Sequence, residues 1–185
     1  MNNKKLLGNL LLLLTAVIWG TAFVFQRAGM DSIEPLTFNA ARMALAAAAV
    51  GLVSFLSGKK KGKAGSAGRP EEDRARRKYT LTGGLCCGIF LSAGSIFQQM
   101  GLVYTTAGKA GFITSLYMVL VPVFGLFFQR RVSLRVWIAV AIALAGLYFL
   151  SVTEGFSVIP TDGFLLCAAV MFAVQILFIG HFVAT

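Results

Sequence analysis

Gly101-Leu-Val-Tyr-Thr-Thr-Ala-Gly-Lys-Ala-Gly-Phe-Ile-Thr-Ser-Leu-Tyr-Met-Val-Leu-Val-Pro-Val-Phe124 leads from one long apolar run through a short polar turn into another, and sets Pro122 deep inside the second. A proline inside a helix removes one backbone donor, and its ring presses on the carbonyl four residues back, here that of Met118. In water this breaks the helix. In lipid it is tolerated where neighbouring helices re-satisfy the freed carbonyl. The stretch therefore reads as a tight hairpin between two membrane-spanning helices. Pro122 is a candidate gating hinge in the second of them, with a fixed kink that shapes packing as the alternative.

The composition agrees with a membrane setting. Hydrophobic residues make up 57% of the 185 and charged residues 13%, against roughly 45–50% and about 25% in soluble domains. Mean hydropathy is +0.79. The net charge of +10 lies in short blocks between apolar runs, not along one soluble face, which argues against nucleic acid as a partner. Cys86, Cys87 and Cys167 all fall within apolar runs and read as small apolar residues, neither a disulfide framework nor a metal site. There is no phosphate-binding loop, no Ser/His/Asp set and no metal cluster in the sequence. The expectation is a non-enzyme with no catalytic residues, cofactor or metal. His181 is read as interfacial.

A spanning helix needs about 20 largely apolar residues, with a range of about 17–25. Six segments meet this: 6–26, 36–57, 80–103, 107–128, 134–151, and a sixth from about 163 to the end of the sequence. The first follows Lys4 and Lys5 and exceeds the h-region of about 7–15 residues in a cleaved signal, so it reads as a span. Residues 58–79 read as the one linker, a basic loop without periodicity. Lysines and arginines collect on the cytoplasmic side of membranes. The N-terminus (Lys4, Lys5), the second loop (Lys59, Lys60, Lys61, Lys63, Arg69, Arg74, Arg76, Arg77, Lys78) and the fourth loop (Arg130, Arg131, Arg135) all fall on one side of this threading. Arg27, Lys109, Asp31, Glu34, Glu154 and Asp162 fall on the other. The expectation is a multi-pass protein of the cell (plasma or inner) membrane with a cytoplasmic N-terminus.

The segment Leu13-Leu-Thr-Ala-Val-Ile-Trp-Gly-Thr-Ala-Phe23 shares its order of leucines, small pair, aliphatic and bulky residue with Leu165-Leu-Cys-Ala-Ala-Val-Met-Phe-Ala-Val-Gln175. On that reading the sixth helix starts a second copy, turned over because five crossings precede it. Inverted repeats of this kind are built into many secondary transporters. The fold expected is thus an all-α integral membrane bundle: a first five-helix repeat over residues 1–151, then the first helix of a second, inverted repeat over 161–185. A complete second copy needs about as many residues again, so the chain is expected to be a fragment.

Three stretches also carry a family resemblance. Ala16-Val-Ile-Trp-Gly-Thr-Ala-Phe23 is similar to a Trp-Gly/Ala signature in the first helix. Glu34-Pro-Leu-Thr-Phe-Asn-Ala-Ala-Arg42 is similar to a Pro-x-x-Phe-x-x-x-Arg pattern opening the second. Ala107-Gly-Lys-Ala-Gly through Pro122-Val-Phe, followed by Ser133-Leu-Arg-Val-Trp137 and Ala145-Gly146, resembles the fourth and fifth helices. In this order and spacing the chain resembles the EamA-type members of the drug/metabolite transporter superfamily. The resemblance implies ten helices in two inverted five-helix repeats, both termini cytoplasmic, and movement of small metabolites such as amino acids. Two departures stand out: the sequence ends inside the sixth helix, and the fourth loop reads Gln129-Arg-Arg-Val where many members carry Gly-Glu.

Several residues are candidates for a substrate path. Arg42 lies about two turns, or roughly 10 Å, into the second helix, and a charge inside a span is a functional hypothesis by default. Asn39 and Phe38 share its face. Arg42 is read either as pairing with an anionic substrate group or another helix's carboxylate, or as reaching out to Glu34, Asp31 or headgroups. Thr15, Trp19, Phe23 and Gln26 fall on one stripe of the first helix, with a lipid-facing Trp and Phe as the plainer reading. Gln98 and Gln99 end the third helix, and at least one is expected to face the bundle interior, since an unpaired amide in hydrocarbon is costly. Tyr104, Thr105 and Thr106 read as hairpin residues. Gly84 and Gly88, Ala44 and Ala48, and Ala139 and Ala143 form small-x-x-x-small pairs for close helix packing.

The function expected is secondary transport of a small metabolite by alternating access. Its partners are the lipid bilayer, a small-molecule substrate, and either a missing second repeat or a second copy in a homodimer. Two alternatives stay open: a non-transporting membrane remnant or scaffold, and a short-chain dimeric multidrug exporter. The latter needs a mid-span carboxylate, which the sequence lacks.

Overall fold

The structure, a computed structural model, describes residues 3–61, 70–127, 132–151 and 159–184. Within them the chain forms helices α1 (Asn3–Gly29), α2 (Pro35–Lys61), α3 (Pro70–Leu102), α4 (Ala107–Ser115), α5 (Tyr117–Phe127), α6 (Leu134–Ser151) and α7 (Asp162–Ala184). The described residues contain no strand. Five stretches are long and apolar enough to cross a bilayer: Leu6–Gly29, Pro35–Ser57, Lys78–Leu102, Ala107–Phe127 and Asp162–Val183. The apolar part of α6, Leu134–Phe149, is shorter. All 18 residues of α6 rise only about 27 Å, short of the hydrocarbon core of about 30 Å, so the fifth span read from the sequence is not among these five. The molecule is an all-α polytopic membrane bundle.

Two features differ from the sequence expectation. The linker read over 58–79 is partly helical, because α2 runs on to Lys61 and α3 begins at Pro70. Proline fits the first turn of a helix, where its missing N–H has no intrahelical acceptor anyway. Of the charges used for orientation, Lys63, Arg69, Arg130, Arg131 and Glu154 lie outside the described residues. The fourth span, Ala107–Phe127, is also divided, and the division falls at Leu116 rather than at Pro122. There the Leu116 N–H donates to the Ile113 carbonyl at 3.2 Å, a tightened i to i−3 bond, and the Ser115 hydroxyl donates back to the Gly111 carbonyl at 2.6 Å. Such back-bonding bends helices. Pro122 lies buried within α5.

Helix α7 occupies the middle of the bundle and packs on α3, α4 and α5; α1 and α6 pack on α4, and α2 on α3. Apolar side chains gain little by leaving lipid for another helix, so association rests on close packing. The α3–α7 pair is antiparallel. A Cβ added at Gly83 would lie 2.8 Å from Phe182, one at Gly94 2.7 Å from Phe172, and one at Gly101 2.6 Å from Leu165. These glycines let the α7 side chains lie on the α3 backbone. Phe90 stacks on Phe178 with centroids 5.4 Å apart, and Tyr79 meets Phe182 at 4.9 Å. Gly84 and Gly88 instead face open space, so that small pair is not where α3 receives its neighbour. Their spacing suited close packing, but the α7-facing stripe runs through Gly83, Gly94 and Gly101.

Candidate functional site

The buried polar side chains gather toward the end of the bundle that holds the α3–α4 hairpin. On α3, Ser95, Gln98, Gln99 and Leu102 recur at i, i+3, i+4 and i+7, and all four are buried. The chain then turns, with the Tyr104 N–H donating to the Gly101 carbonyl at 3.2 Å. Thr106 caps α4, its hydroxyl accepting from the Lys109 N–H at 3.3 Å. That cap satisfies one of the free donors of the first turn and fixes Ala110, Ile113 and Thr114 on the inward face of α4.

Leu102, Ala110, Ile113 and Leu165 form an apolar cluster, flanked by Phe23 of α1, by Met30 just past its end, and by Phe112 and Leu116. Gln26 lies between Phe23 and Met30 on the same helical face and is 5% exposed. Four helices thus bring buried polar groups to one apolar cluster: Gln26 from α1, Gln99 from α3, Thr114 from α4 and Asp162 from α7. Among the described residues, Gln26 Oε1, both amide atoms of Gln99, Thr114 Oγ1 and Asp162 Oδ1 have no hydrogen-bond partner. Each such atom costs about 1–3 kcal/mol when held dry.

Electrostatically the site centres on one ion pair. Lys109 Nζ, on the first turn of α4, lies 2.7 Å from Asp162 Oδ2, on the first turn of α7, with side chains 12% and 6% exposed. Asp162 Oδ2 also accepts from the Ile159 N–H at 2.9 Å. The carboxylate therefore closes the start of α7 in the manner of a capping box, with Pro160 entering the turn.

The sequence candidates divide. Gln26, Asn39, Gln98 and Gln99 are buried and Phe23 is half-buried, whereas Trp19 and Thr15 at the other end of their stripe are exposed. The Thr15 hydroxyl donates to the Leu11 carbonyl of its own helix at 2.8 Å. Arg42 is half-buried, and its Nη2 donates to Asn39 Oδ1 at 3.0 Å. Asp31 is paired with Arg27 on the α1 side at 3.1 Å. Phe38 does not join Asn39 and Arg42 but lies on Gly29 at the α1–α2 turn, 2.6 Å from where a Cβ would stand. Reading the sequence as outer-loop charges missed the Lys109–Asp162 pair. The available signal was a lone lysine and a lone aspartate opening two apolar runs at the same membrane level.

The EamA-like transporter family is matched over residues 6–152, most of the chain. The chain belongs to that family. This EamA-like chain is similar to an uncharacterized transporter of Archaeoglobus fulgidus, 34% identical over 185 residues. The match covers 97% of the EamA-like chain and 51% of that relative, so the chain spans about half the relative's length. No solved structure matches it.

Proposed function

We propose that this EamA-like chain supplies part of the solute path of a secondary transporter for a small polar metabolite, working by alternating access. The observation that carries the reading is the convergence of unpaired, buried polar atoms from Gln26, Gln99, Thr114 and Asp162 on one apolar cluster. A permanently dry core avoids such groups. A site that fills with water or solute in part of its cycle needs them, because they replace the solute's hydration shell. Binding sites of transporters of this general kind lie where repeats meet, and α7 is the helix read from sequence as opening the second repeat.

In this reading Gln99 and Gln26 contact solute, Asn39 holds the Arg42 guanidinium ready for an anionic group, and Pro122 with the Leu116 junction lets the fourth span bend. The N-terminus is cytoplasmic and the α3–α4 hairpin faces outward, supported by the basic blocks between spans. The membrane is the plasma or inner membrane. Reconstitution tests the function: proteoliposomes are screened for saturable flux of labelled amino acids, amines, sugars, nucleosides and carboxylates. Saturable flux of at least one, lost in Gln99→Leu, is the expected result; no flux of any compound contradicts the proposal.

A further inference from the structure

We infer that the Lys109–Asp162 pair is the lock of a gate at the hairpin end of the bundle, a role that rests on the transport reading above. The pair joins the first turns of two helices far apart in the chain. Nζ and Oδ2 are 2.7 Å apart and both side chains are nearly enclosed. One turn below Asp162, Leu165 sits in the apolar cluster with Leu102, Ala110 and Ile113. The pair therefore closes over that cluster.

Stability gives little reason for placing charges here. Desolvating two ions consumes most of what their attraction returns, and apolar residues of similar size often serve as well or better. A buried pair does create two discrete states: ions together and dry, or apart and each hydrated. The intermediate, with one charge dry and unpaired, is strongly disfavoured. The closed arrangement also leaves polar capacity unused beside the pair, since Asp162 Oδ1 and the neighbouring Thr161 Oγ1 have no partner among the described residues. Water entering as the ions separate satisfies both. The fold supplies a moving part as well. Helix α4 is only nine residues long and ends at the tightened Leu116 junction, so it can tilt as a short rod about that point and carry Lys109 away from α7.

The test uses no transported solute. In the full chain with Cys86, Cys87 and Cys167 changed to Ala, Leu165→Cys places a thiol behind the pair. In nanodiscs its reaction with a charged, water-soluble methanethiosulfonate reagent is followed by mass spectrometry, with gel filtration confirming folded protein. Asp162→Asn removes the negative charge from the pair and should raise the labelling rate about tenfold or more. The apolar double variant Lys109→Met/Asp162→Leu should lower the rate below that of the native pair, because a closed state without ions to hydrate does not open. Equal rates in all three overturn the gate. So does a rate in the double variant that rises, since that marks a simple clasp; this variant also decides the matter should Asp162→Asn fail to fold. The expected labelling pattern without flux of any solute would defeat the transport reading alone. Flux with labelling indifferent to the pair would defeat the gate alone.

Discussion

At the scale of the residue, the bundle holds several polar groups without full partners, and these separate stability from activity. Gln99 is fully buried with both amide atoms unpaired, so Gln99→Leu should raise the melting temperature in detergent, gaining about 1–3 kcal/mol, while solute flux falls about tenfold or more. A residue kept only for packing would show no such opposition between stability and activity, and a lower melting temperature would count against a solute-binding Gln99. Arg42→Ala should abolish flux and leave membrane insertion unchanged; Arg42→Lys should restore it only partly, because lysine lacks the planar fork that Asn39 orients. Normal flux in Arg42→Ala removes Arg42 from the path. Gln98, Gln99 and Arg42 were legible in the sequence because a polar group inside an apolar run always needs an explanation. Lys109 and Asp162 were legible singly but not as a pair, since no local pattern links two helix starts so far apart. On α1, periodicity identified one stripe, yet it does not say how far along the helix a neighbour covers that stripe. Phe23 and Gln26 are covered; Thr15 and Trp19 are not.

At the scale of the element, the helices themselves followed from runs of apolar residues, while their contacts did not. Many small residues are spaced to allow close approach, and only the three-dimensional register selects among them. Gly101→Ala should destabilise the α3–α7 pair by about 1–3 kcal/mol, since the new methyl lands 2.6 Å from Leu165 Cγ and 3.4 Å from its backbone nitrogen. Gly84→Ala, with nothing within 4 Å, should be neutral or gain up to about 1 kcal/mol from helix propensity. Melting of the two variants in the same detergent checks both; equal effects would contradict the α3–α7 register. The fourth span shows the same gap between pattern and geometry. Pro122 marked its irregularity in the sequence, but the interruption falls at Leu116, where hydroxyl back-bonding and an i to i−3 bond tighten the turn.

At the scale of the whole molecule, a central α3–α7 pair carries α4 and α5 on α7 and α2 on α3, with α1 and α6 packed on α4. Apart from Gln26 in α1 and Asn39 in α2, the described side chains of these two helices are exposed or half-buried within this chain, and their apolar faces suit lipid. Family membership was legible because several motifs recur in order at characteristic separations: the Trp-Gly pair, the Pro-led second helix, the hairpin. Orientation rests on the basic blocks, so reporter fusions at the N-terminus and within 62–69 should both read cytoplasmic, with one inserted at the α3–α4 hairpin reading outside. Opposite sides for the first two would overturn the threading. The central claim is that the polar groups around the Leu102–Leu165 cluster line a path for solute. The most direct measurement compares flux of the screened compounds into proteoliposomes bearing the native chain and Gln99→Leu, at matched amounts of folded protein. Saturable flux of a small polar compound is predicted for the first and a loss of about tenfold or more for the second; flux equal in both, or absent from the native protein for every compound, would contradict the claim.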